Sequence, residues 1–235
     1  MADIELRGEL WDNDSADVLR WLGWRDIVAP MDIKAALEKA GGEDVTILVK
    51  SPGGDMTVGG EIRSLLRRYK GKTTALVQGY AASAATLAIS ACSEIQSEAG
   101  ALLCYHNPMT AAQGDHREMA RTSESLKNAR DAILEQYLAR PGTASREQLI
   151  ALMNKDIWIT PTQAKEYGLI DEIVGLDDQS GDGALFVATA GCGRIRLTAE
   201  MRDQYLAHVA AEKEAAEKEI KAKRALAKIH ALAKF

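Results

Sequence analysis

Between Val45 and Tyr105, short β-branched runs alternate with segments whose apolar residues recur every three or four positions. That alternation predicts repeated strand, turn and helix units, the pattern of an α/β protein with a largely parallel, buried sheet. Val45-Thr46-Ile47-Leu48-Val49 reads as a strand running into Ser51-Pro52-Gly53-Gly54, a turn that permits close backbone approach. In the helix that follows, Val58, Ile62, Leu65, Leu66 and Tyr69 form an apolar stripe, with Gly71 as its stop. The unit repeats as a strand over Thr73 to Gln78, a tight connection at Gly79-Tyr80-Ala81-Ala82, and a small-residue helix from Ser83 to about Cys92. A third strand, Ala101 to Tyr105, delivers His106.

Beyond Pro108 the period predicts one long helix, His116 to Arg140, with Met119, Leu126, Ala129, Ile133 and Tyr137 on one face. Two capping boxes follow, Ser145 with Gln148 and Thr160 with Gln163. The second has Pro161 at its first helical position and Gly168 at its far end. Asp156-Ile157-Trp158-Ile159 lies between those helices. Asp178 to Gly183 reads as a polar linker, and Ala184 to Leu197 as one or two strands with a turn at Gly191-Cys192-Gly193. From Thr198 the chain reads as a long solvated helix whose acids precede its bases, with Glu214 and Lys218 among its favourable four-residue pairs. The expected boundaries are therefore a catalytic domain over 1–175, a linker with short strands over 176–197, and a charged helical tail over 198–235.

Composition narrows function more than fold. With 46% hydrophobic and 27% charged residues in a chain of 235, this is an ordinary globular composition. A net charge of -5 offers no overall basic field to draw nucleic acid or anionic lipid. Cys92, Cys104 and Cys192 have no metal-ligand spacing, so neither a disulfide framework nor a metal site is indicated, and no cofactor is expected. No stretch approaches the roughly 18 apolar residues of a membrane span. Met1-Ala2-Asp3-Ile4-Glu5 carries no charged-then-apolar leader, so a cytoplasmic location is expected.

A hydrolase acting through serine needs a hydroxyl on a sharp strand-to-helix turn, an imidazole to take its proton, a carboxylate to orient that imidazole, and N–H donors for the oxyanion. Ser83, between two Ala-Ala pairs at a helix start, has the uncrowded setting a nucleophile requires. His106 emerges at a strand end, where open α/β sheets carry their chemistry. Asp156 is the sole acid between Asn154 and Thr160, and its apolar neighbours suggest partial burial against an imidazole. Taken singly, a packing serine, a hydrogen-bonded strand-end histidine and a turn acid are the commoner readings. Their placement with a second Gly-rich turn at the end of the preceding strand shifts the balance.

Ser51-Pro52-Gly53-Gly54, Gly79-Tyr80-Ala81-Ala82-Ser83-Ala84-Ala85, Tyr105-His106-Asn107-Pro108 and Asp156 with Thr160 to Asp171 resemble, in order and spacing, the Clp protease proteolytic subunit (ClpP) family. The resemblance covers roughly residues 2 to 175. It implies the ClpP/crotonase fold of repeated ββα units, a protruding handle helix at His116 to Arg140, and here a C-terminal helical extension. It implies Ser83 as nucleophile, His106 as general base, Asp156 as its orienting partner, and the N–H groups of Gly53 and Ala84 as the oxyanion hole. Gly54 and Asp55 would pair with an extended substrate strand, giving broad sequence preference. Homo-oligomeric rings and polypeptide substrates are implied as well.

Two features depart from the family pattern. Lys50 stands where the family usually has Asn, and the chain starts almost directly at the strand Ile4 to Leu10, which makes an ATPase unfoldase partner doubtful. With the charged tail, this looks like the ClpP-related proteases of phage head assembly, which act on scaffold or capsid proteins in the host cytoplasm or prohead. Competing readings are a crotonase-like acyl-CoA enzyme using the same Gly-rich turns, Cys104 as an alternative nucleophile, and a non-catalytic capsid-assembly or scaffold protein that keeps the fold.

Overall fold

The structure, a computed structural model, describes residues 2–175. The linker expected at 176–197 and the tail expected at 198–235 lie outside the described residues. In chain order the elements are β1 (Ala2–Leu10), α1 (Asn13–Trp21), β2 (Ile27–Val28), α2 (Pro30–Ala40), β3 (Val45–Gly54), α3 (Met56–Arg68), β4 (Thr73–Ala82) and α4 (Ala84–Ile89). Then come β5 (Glu94–Glu98), β6 (Leu102–Cys104), α5 (His116–Leu138), α6 (Arg146–Lys155), β7 (Trp158–Ile159), α7 (Pro161–Glu166) and β8 (Glu172–Val174). Six strands run parallel in the order β2-β1-β3-β4-β5-β8, the largely parallel sheet expected from the repeated strand, turn and helix units.

The central strands are apolar because helices cover the sheet. Val45, Ile47 and Val49 of β3 and Ala75 and Val77 of β4 have no exposed surface, and neither does Ile33 of α2 or Ile62 of α3, which join the same core. Each such fully buried Val or Ile side chain contributes roughly 1.5–3 kcal/mol. Helix starts are fixed by side chains: Asp55 caps α3, Asp115 caps α5, Ser145 caps α6 and Thr160 caps α7. Among the described residues no helix is long and apolar enough to cross a membrane.

One irregularity positions the site. Val49 of β3 pairs with Val77 of β4, but Ser51 pairs with Ala81, so three β4 residues oppose the single Lys50. Gly79 sits in this bulge with φ 84, a conformation that glycine adopts without strain. Below the bulge β4 pairs with β5 from Thr74 to Val77; above it, Tyr80 to Ala82 pair with β6. The sheet therefore forks at Gly79, and β7 runs antiparallel on the far side of β6.

Several elements differ from the sequence expectation. The strand expected to stop at Gln78 continues to Ala82, because the bulge hands it a new partner. The helix expected to reach Cys92 ends at Ile89, and β5 follows with one large apolar side chain, Ile95, so sheet pairing rather than hydrophobic pattern makes it a strand. In α5 only Ile133, Leu134 and Tyr137 are buried, while Met119 is exposed, so the expected apolar face packs at its C-terminal end alone.

Candidate active site

The register that joins β4 to β6 pairs Ala82 with Cys104, so Ser83 and His106 leave adjacent strand ends. The Ser83 N–H closes the junction on the Cys104 carbonyl at 2.9 Å. The chain then turns sharply into α4 with Ser83 at φ 55 and ψ -128. Among the described residues only Ser83 and Asp156 are non-glycines with positive φ. A conformation like that of Ser83 costs about 1–3 kcal/mol and persists only where its surroundings hold it. Here the Ser83 carbonyl accepts from the Thr86 N–H at 3.1 Å and from Thr86 Oγ1 at 2.7 Å. Having donated its one proton, Thr86 Oγ1 accepts from the Tyr137 hydroxyl at 2.8 Å. Burial pushes the Tyr137 phenol's pKa up, which keeps it a donor, and its ring meets Tyr105 edge-on at 5.4 Å.

Ser83 and His106 line one crevice of about 30 Å3, walled by Met56, Leu87, Ile133 and Tyr137. The space is near the size of a few waters. Gly53 packs against the Ser83 turn. At φ 89, a Cβ there would lie 2.6 Å from the Ala82 carbonyl oxygen, 2.7 Å from Ser83 Cβ and 2.8 Å from the Ala84 nitrogen. Only glycine lets the second turn come this close to Ser83. The Ala84 N–H is a first-turn donor of α4, without an intrahelical partner.

Three expected roles meet a different arrangement. The Gly53 N–H donates to Ser51 Oγ at 3.1 Å, while that buried hydroxyl donates to the Gly8 carbonyl at 2.5 Å, so one of the two expected oxyanion donors is occupied. Asp55, expected to pair with substrate, has its backbone and side chain committed. Its N–H donates to the Leu10 carbonyl at 3.0 Å, its carbonyl accepts from Gly59 at 3.0 Å, and its carboxylate caps α3 through Thr57, which lowers its pKa. Gly54 pairs with Leu10 in the β1–β3 ladder, and in a parallel pair of this phase its own N–H and C=O face away from β1.

Asp156 is the third case. Expected to be partly buried on the imidazole, it is instead exposed, closes α6 in the left-handed conformation (φ 49, ψ 51), and makes no hydrogen bond to His106. The reason is local: His106 Nδ1 lies 2.7 Å from the Asn107 carbonyl, and the β6–β7 ladder stops at Cys104 opposite Trp158. With Nδ1–H directed to that carbonyl, Nε2 is the basic nitrogen. Because Leu103 faces Ile159 and Cys104 faces Trp158, two more residues of the same register would set Asp156 opposite His106.

The bracing pair Thr86 and Tyr137, the Ser51 hydroxyl and the Asn107 carbonyl had no signal in the sequence beyond apolar or turn character. Asn107 Nδ2 also bonds Asn154 Oδ1 at 2.9 Å, tying the His106 segment to the end of α6. Cys104 is buried within β6, in poor position to act as a nucleophile.

The family model described as Clp protease matches residues 27–177, well over half of the chain and all four of the segments above. The chain belongs to the Clp protease family. It is 33% identical over 143 residues to the ATP-dependent Clp protease proteolytic subunit of Mesostigma viride, covering 57% of this chain and 62% of that protein. It is 30% identical over 138 residues to the corresponding subunit 1 of Streptomyces avermitilis, covering 57% and 63%. A Bacteroides fragilis subunit is 28% identical over 135 residues, covering 57% and 65%. The chain thus spans about three-fifths of the length of the curated relatives it matches. In this Clp protease chain β1 and α1 precede the matched region, so Leu10, the β1 residue that pairs with Gly54, stands outside it.

Proposed function

We propose that this chain is a serine endopeptidase in which Ser83 attacks the scissile carbonyl and His106 takes its proton at Nε2. The observation that carries the reading is the Ser83 turn: a non-glycine residue in a strained conformation, at a strand-to-helix junction, sharing its crevice with His106. The tetrahedral oxyanion is held by the Ala84 N–H and by the Gly53 N–H once the latter exchanges Ser51 Oγ for the anion. His106 then returns the proton to the leaving amine.

Asp156 completes the triad when the β6–β7 ladder lengthens by two residues, moving His106 Nδ1–H from the Asn107 carbonyl to the carboxylate. Substrate backbone pairs with the outward N–H and C=O of Gly54, and its chain continues into the groove of about 450 Å3 between Pro108 to Ala112 and the face of α5 bearing Met119 and Leu126. The apolar walls of the Ser83 crevice favour an apolar side chain at the bond to be cut. Substrates are polypeptides, the active form is a homo-oligomeric ring, and scaffold or capsid proteins of a phage head are the substrates to test first.

The test compares wild type with Ser83→Ala on casein and on a scaffold protein, alongside fluorophosphonate labelling. Wild type is expected to label and cleave, and the variant to do neither. Equal labelling of both proteins would overturn the assignment.

A further inference from the structure

Behind the crevice, where the ends of α4 and α5 meet the side of α3, lies a second cavity of about 550 Å3. Three guanidiniums line it, Arg63, Arg67 and Arg140, together with Ser90, Ser93 and a single carboxylate, Asp171. That carboxylate is committed: Asp171 Oδ2 accepts from the Ile95 N–H at 2.6 Å and from Arg140 Nη2 at 2.5 Å. Arg140 is committed too, with its side chain 12% exposed and Nη1 donating to the Cys92 carbonyl at 2.8 Å.

The other two cations have no such compensation. Arg63 donates only to neutral acceptors, Ser90 Oγ at 2.8 Å and the Gln136 carbonyl at 3.4 Å. Arg67 makes no ion pair or hydrogen bond among the described residues, although it sits one helical turn away and lines the same cavity. Burial and the neighbouring Arg67 both push the Arg63 pKa below its ordinary value, the mark of a cation short of an anion. Two planar forks on one cavity wall match the oxygens of a carboxylate or phosphate.

We infer that Arg63 and Arg67 form an oxyanion-binding site, taking a phosphate or the carboxylate of an acidic polypeptide. An anion held there ties α3 to the C-terminal ends of α4 and α5. Those same helices supply Met56, Leu87, Ile133 and Tyr137 to the wall of the Ser83 crevice, so occupancy stiffens the crevice from behind. The inference does not rest on the peptidase reading, because its readout is ligand-dependent stability rather than turnover.

The test is thermal unfolding of the full chain titrated with inorganic phosphate, and separately with an acetylated tetraglutamate peptide, each against sodium chloride at matched ionic strength. Saturable stabilisation by either probe beyond chloride is expected, and the tighter probe identifies the source of the anion. Arg67→Gln, at an exposed position that leaves the fold intact, is expected to weaken the response roughly tenfold or more, the size of one charge-assisted hydrogen bond. Arg117→Gln, on the exposed first turn of α5, is expected to leave it unchanged. A wild type that responds to neither probe beyond chloride, or an Arg67→Gln response equal to wild type, would overturn the site.

Discussion

Ser83 and Asp156 share a positive φ but differ in what holds it. Both are non-glycines with positive φ, yet Ser83 is held by hydrogen bonds from Thr86 and backed by buried Tyr137, whereas Asp156 closes an exposed helix end. The left-handed conformation costs little in an aspartate, whose short polar side chain tolerates it. The ψ of Ser83 at -128 lies outside that tolerated well and needs support from its neighbours. The contrast separates what is set in advance from what must be recruited. The proposed nucleophile is held in place by its own surroundings, while the proposed third member of the triad waits on a strand register.

The largest break in this comparison is Asp156→Asn. If Asp156 joins His106 during turnover, kcat falls by about 10^4-fold with folding intact, as loss of a triad carboxylate does elsewhere. A loss below tenfold in a peptide-hydrolysis assay would mean that Asp156 stays apart from His106, as it lies here. Next comes the Ser83 side, attacked through the glycine that packs against its turn. Gly53→Ala puts a methyl group against the backbone of Ala82 and Ala84 and forces an unfavourable φ, so stability is expected to fall by about 3 kcal/mol or more. Gly60→Ala, a helical position with open space around it, is the control, with a change of no more than about 1 kcal/mol in either direction. Similar melting temperatures for the two variants would remove Gly53 from its place beneath Ser83. The smallest effect is expected for Tyr137→Phe, which deletes one buried hydrogen bond to Thr86. About 1 kcal/mol, or a melting temperature roughly 2–4 °C lower, is expected together with a reduced kcat. An unchanged kcat would show that the Ser83 turn holds without this brace.

The sequence carried the frame of this arrangement well, for identifiable reasons. Val45 to Val49 announces a buried strand because both of its faces are covered, and the capping boxes at Ser145 and Thr160 mark helix starts that the structure keeps. Ser83, His106 and Gly53 were legible through spacing and family resemblance, and the sheet brings them together. Illegible were the features that depend on pairing across long separations. The Gly79 bulge lengthens β4 only because β6 is there to receive it. The Tyr137 brace spans 51 residues and looks in sequence like one more apolar position. Asp55 reads as a turn residue beside a glycine pair, and nothing local reveals that Leu10 of the first strand takes up its N–H.

The fork at Gly79 also divides the pairing of the sheet. Below it, β4 is locked between β3 and β5 in the interior of the sheet; above it, β6 attaches to β4 through three residue pairs and carries only the two-residue β7 beyond. The outer segment is held by packing as much as by pairing, because Leu103, Tyr105 and Ile159 are buried in the same core as β3 and β4. Ser83 follows the interior strand and His106 follows the outer one, so the proposed proton donor and its proposed acceptor stand on opposite sides of the fork. Their alignment is set by the three residue pairs that join Tyr80, Ala81 and Ala82 to β6 and by the Ser83 N–H bond to the Cys104 carbonyl.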